Sequence, residues 1–173
     1  DAGRMHAELS PGRELLLRAN LLQQGRPEVP PYDRFETLDA LIRVERRIRG
    51  QSYAEPYVAA ALAAAREALA DLAPAQHQRL ESLLRFKAGA DVPGAVLVSA
   101  LGHLLEEIPT SLRVLDPRTH TIGRVAIEVG GRMVELGMPE ADQFFSLLAR
   151  KEEFFQPRAQ AAHARFLWSL TNA

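Results

Sequence analysis

A 173-residue chain with a net charge of −1, 47% hydrophobic and 25% charged residues has the make-up of a globular domain. It is long enough to bury about two-thirds of its unfolded surface. The near-zero charge removes any general pull toward nucleic acid or an anionic membrane. The absence of cysteine excludes disulfides, thiolate metal sites and a cysteine nucleophile. The opening DAGRMHAELS has no apolar run of the signal-peptide kind, so a cytoplasmic location is expected, and Asp1 as first residue fits a fragment of a longer protein. Arginine far outnumbers lysine and alanine is abundant, a pattern expected of a GC-rich bacterial genome.

In chain order, Ser10-Pro11 reads as a helix start, with Leu15, Leu16, Ala19 and Leu22 as its stripe and Gly25 as its end. Prolines at 27, 30 and 31 make the next stretch an extended connector. Asp33-x-x-Glu36 is a capping box that opens the clearest amphipathic helix. Its stripe is Phe35, Leu38, Leu41, Ile42 and Ile48, broken only by Glu45 and stopped at Gly50. An alanine-dominated helix is predicted from about Pro56 to Leu72, and Ala73-Pro74 turns into a fourth carrying Leu80, Leu83, Leu84 and Phe86. The stretch from Val92 to Leu105 has no formal charge and sets apolar groups all round, so it is expected to be a central helix near 93–107, covered on every side. It is too short to cross a bilayer, which takes roughly 20 apolar residues.

The segment 110–137 supports two readings. As strands, Thr121–Val129 and Arg132–Leu136 flank Gly130-Gly131, a hairpin signal that pairs Val125 with Leu136 and Ile127 with Val134. As a helix, Ile122, Val125, Ala126, Val129, Met133 and Leu136 share one face, opposite Arg124, Glu128, Arg132 and Glu135. Gly123, Gly130 and Gly131 would cost a helix about 2–3 kcal/mol relative to alanine. That penalty, with the many β-branched residues, tips the reading to a small β-hairpin at 121–136. From Pro139-Glu140 onward a helical pair is expected, broken at Pro157, with Phe144, Phe145, Leu148 and Phe155 on one face and Leu147 and Phe154 on a second.

The expected architecture is therefore a mainly α-helical bundle of about seven or eight helices in one domain, 1–173. Its parts are an N-terminal helix and connector (1–32), a helical core (33–109), the hairpin segment (110–137) and a C-terminal helical pair (138–173).

Few residues carry chemistry. His103, in the central helix, is a candidate ligand-binding group with Glu107 one turn on; the plainer alternative is a core histidine bonded to a backbone carbonyl. Asp116-Pro-Arg118-Thr-His120 is a polar cluster in which Arg118 and His120 suit an anion or a partner's carboxylate, unless it is simply a solvated turn. The basic run Arg43, Arg46, Arg47, Arg49 sits where cations complement a helix C-terminus, and Glu45 interrupts it, which argues against nucleic acid. Phe154, Arg165 and Trp168 carry an expected protein contact or self-association of the C-terminal helices, because a helix with two apolar faces has to be covered twice. No histidine pair has metal-ligand spacing, and no phosphate loop, dinucleotide fingerprint or nucleophile elbow occurs, so neither metal nor cofactor is expected.

The reading that follows is a non-catalytic helical interaction or regulatory module of a bacterial system, without nucleic-acid or membrane partners. A small-molecule sensor with a pocket near His103 is the alternative, and an enzyme using His103 or His120 as general base is a third.

Overall fold

A computed structural model describes residues 2–70, 72–106 and 117–149, with side chains described for 11–70, 72–106 and 122–149. The described residues form seven α-helices and no strand. The mainly α-helical bundle expected from the periodicity is thus the fold of the described residues. None of these helices is long and apolar enough to cross a membrane.

Residues up to Ala70, with Ala88–Ala90, make one compact unit. Helix α1 (Ala2–Gln23) starts well before Ser10 and continues through Pro11. It packs one-sidedly on α2 and leaves Leu15, Leu21 and Leu22 more than half exposed, so two of the four residues of the expected inward stripe point outward.

Helix α2 (Pro31–Arg49) begins at a proline, which lacks only an N–H that the first turn could not bond. No side chain caps it, and Glu36 instead accepts the Tyr32 hydroxyl at 3.0 Å. Phe35, Leu38, Leu41, Ile42 and Val44 are buried along it. Glu45, the break in the stripe, is buried too, because Arg13 of α1 donates to its Oε1 from Nε at 2.8 Å. Arg46, Arg47 and Arg49 fill the last turn, where the helix dipole favours cations, and the Arg49 guanidinium also lies 3.6 Å from the Tyr53 ring centre.

One residue, Gly50, joins α2 to α3 (Gln51–Ala68). The pair is antiparallel, with Arg34 near the start of α2 bridged to Glu67 near the end of α3. Ala54, Ala61, Ala64 and Ala65 are buried along α3 and bring the two backbones close. Gly50 holds φ at 96°, a left-handed value that costs a side-chain-bearing residue about 1–2 kcal/mol. A Cβ there would meet nothing within 4 Å, so Gly50→Ala should lose about that backbone cost and no packing, read as an earlier urea midpoint at unchanged m-value.

The second unit comprises, among the described residues, 72–87, 91–106 and 117–149. Its described helices are α4 (Pro74–Ala88), α5 (Gly94–Glu106), α6 (Pro117–Glu135) and α7 (Ala141–Ala149). Helix α6 corrects the expected β-hairpin at 121–136. Ile122, Val125, Val129 and Met133 are fully buried on one helical face, each worth about 1.5–3 kcal/mol, which together outweighs the 2–3 kcal/mol charged to the three glycines. Leu136, paired with Val125 in the hairpin reading, is instead 57% exposed. The opposite stripe is used as well: Glu128 makes a 2.6 Å ion pair with the buried Lys87 of α4, and Arg132 stacks over Phe86 at 4.9 Å. Gly130 is a point of close approach, occupied by the Phe145 ring of α7 where a Cβ would otherwise stand.

Candidate functional site

The uncharged helix α5 is buried along Leu97, Val98, Ala100, Leu101, Leu104 and Leu105. It is not covered all round as its composition led us to expect, because Ala95, Val96, Ser99, His103 and Glu106 form an exposed strip. Val96, Ser99, His103 and Glu106 are three or four residues apart in turn, so they share one side of the cylinder, with Ala95 at its edge. Val96, a β-branched apolar residue, is 44% exposed there.

Along this strip α4 and α5 border a groove of about 460 Å³. Helix α4 lines it with Ala75, Gln78, Arg79 and Ser82, and α5 with Ala95, Val96, Ser99 and Ala100. Small residues on both helices keep it open, and its polar content is one guanidinium, two hydroxyls and one amide. Arg79 is half-buried; its Nη1 donates to Gln76 Oε1 at 3.0 Å, and no carboxylate pairs with it among the described residues. The Gln76 amide, itself buried, donates to the backbone carbonyl of His103 at 3.2 Å. This chain of bonds ties α4 to the C-terminal half of α5 and fixes the stem of Arg79. The Ser82 hydroxyl is directed to the Gln78 carbonyl at 3.2 Å. A cation held by a neutral partner retains most of its capacity to bind an anion, because charge-assisted hydrogen bonds to carboxylates are roughly twice as strong as neutral ones.

His103 lies one turn beyond Ser99 on the exposed strip and is not a core residue. Its Nδ1 is 3.2 Å from Glu106 Oε2, so the carboxylate it meets is the one at i+3. Glu107, named with it from the sequence, lies outside the described residues, as do Phe154, Arg165 and Trp168. The backbone of Arg118 and His120 is in the first turn of α6 rather than in a loop between strands, and their side chains lie outside the described set. Arg79 and Gln76 escaped the sequence reading. Their i, i+3 spacing was visible, but nothing in the chain marks which neutral residue will be buried against a carbonyl of another helix.

Compared with known protein families, curated proteins and solved structures, the chain has no match.

Proposed function

We propose that the chain is a non-catalytic helical interaction module that seats a carboxylate-bearing segment of a protein partner in the α4/α5 groove. The observation that carries this reading is Arg79, a half-buried guanidinium whose partner is neutral, standing in an open groove beside Ser82, Ser99 and the exposed Val96. Arginine next to apolar surface is the combination enriched where proteins dock. The arginine-rich, lysine-poor composition is the support for placing the module in a bacterial system.

A photo-crosslinking residue in place of Ser99, expressed in the native host, tests the proposal. The expected result is one protein adduct that is lost in an Arg79→Glu background and is absent when the crosslinker replaces Leu136, an exposed position elsewhere. With the purified partner, Arg79→Glu should weaken binding by at least about tenfold at unchanged melting temperature. An adduct indifferent to Arg79→Glu, or none at all, overturns it.

A second reading, a small-molecule sensor, is supported by the volume of the same groove, which falls within the roughly 300–1,000 Å³ of small-ligand sites. Native mass spectrometry separates the two, since only the sensor carries or gains a low-mass ligand at one-to-one stoichiometry.

A further inference from the structure

The exposed strip of α5 matches itself when turned end for end. Val96, Ser99, His103 and Glu106 are separated by three, four and three residues, a spacing that is the same in both directions. It is also the spacing along which two helices interlock in a seam. A two-fold axis placed between Ser99 and His103 therefore sets each strip residue opposite a strip residue of a second copy. Val96 comes opposite Glu106, and Ser99 opposite His103.

The chemistry is complementary in that same register. Arg79 lines the groove beside Val96 and Ser99, at the end of the strip where Glu106 of the second copy arrives. Its Nη1 is held by the neutral Gln76, and no carboxylate pairs with it among the described residues. Glu106 is exposed, and it meets His103 at 3.2 Å on the same open face. An exposed pair of that kind contributes little and exchanges readily. A guanidinium–carboxylate contact is charge-assisted on both sides and is the stronger of the two. Once Glu106 turns to Arg79 of the second copy, the His103 ring is free to bond the exposed Ser99 hydroxyl opposite it. Val96, 44% exposed in the single chain, is covered by the same contact.

We propose that the α4/α5 face is a two-fold contact between copies of this chain, with the α5 strips antiparallel and each Arg79 meeting the other copy's Glu106. The proposal rests on the reading of this groove as a docking surface and names its occupant. The strip from Val96 to Glu106 is only about 15 Å long, so the contact belongs to the small, reversible class of interfaces.

Sedimentation equilibrium of the full chain, from micromolar to millimolar concentration, tests it. A reversible monomer–dimer equilibrium is expected. Arg79→Glu alone and Glu106→Arg alone should each weaken it at least about tenfold, because like charges then face each other in both contacts. An equimolar mixture of the two variants should dimerise as the unaltered chain does, since each mixed dimer has one original and one reversed Arg–Glu contact. That recovery is not open to a variant that has merely lost its fold, and the melting temperature of each dilute variant should be unchanged. A monomer across the whole range overturns the proposal. A dimer indifferent to both substitutions, or a mixture no stronger than its components, does so as well. In any of these cases a Ser99 adduct with a different protein, lost on Arg79→Glu, leaves the docking reading standing, whereas no adduct at all removes both.

Discussion

Glu128→Leu should lower the folding free energy by about 3–4 kcal/mol, because it leaves the Lys87 ammonium buried without its carboxylate. The Lys87 side chain is only 3% exposed and sits 2.6 Å from a carboxylate that is itself 17% exposed. Desolvating an ammonium is repaid only by a close opposite charge, so removing the acid costs more than the pair contributes as a whole. The reverse substitution, Lys87→Met, should cost less, about 2 kcal/mol, since Glu128 retains some contact with water. Replacing both together, Lys87→Met with Glu128→Leu, is expected to return stability to within about 1 kcal/mol of the starting protein, because a well-packed apolar pair is no worse than a buried ionic one. Urea unfolding of the four proteins in a double-mutant cycle measures this. A loss below about 1 kcal/mol for Glu128→Leu would mean that water screens the pair as it does on a surface.

Gly130→Val is the second substitution with a large expected effect, a loss of about 3 kcal/mol. A Cβ at this position stands 2.6 Å from the Phe145 Cζ and 3.0 and 3.1 Å from two further ring atoms. Phe145 is fully buried and packs edge-on to Phe144 at 6.4 Å between ring centres, so its ring has little freedom to give way. Alanine at 130 would gain about 1 kcal/mol in helix propensity and lose about 1–3 kcal/mol to overpacking, and valine adds two methyl groups to the same clash. The adjacent glycine is the internal control. A Cβ at Gly131 meets nothing within 4 Å, so Gly131→Ala should raise stability by about 0.5–1 kcal/mol. Opposite signs at two consecutive positions, read by thermal unfolding, are the distinguishing result.

These two glycines also show where the sequence stops being legible. Helical periodicity identified α2 and α4 well, because apolar residues recur there at three and four positions between clear breaks, and α5 was legible from its uncharged run. The same periodicity was present in α6, but Gly130-Gly131 is equally the signature of a tight turn. What decides between them is the burial of Ile122, Val125, Val129 and Met133 on one helical face, while the Phe145 ring, a neighbour distant in sequence, occupies the space beside Gly130. Glu45 was readable as an exception in its stripe, yet the cause, Arg13, belongs to another helix. The open strip of α5 was illegible for a related reason: composition tells how apolar a helix is, not how many neighbours it has. The proposed partner site rests on Arg79, an ordinary polar residue whose distinction arises only from what surrounds it. His103 stood out in the sequence because its neighbours are apolar, and that contrast said nothing about the direction of its ring.

The one-residue joint between α2 and α3 leaves the two rods without slack. A longer link would let either rod slide or twist while the other stayed still. Here a displacement of one drags the other, since a single pair of backbone torsions has to absorb it. The place at which this hairpin can bend is therefore set in advance, at Gly50.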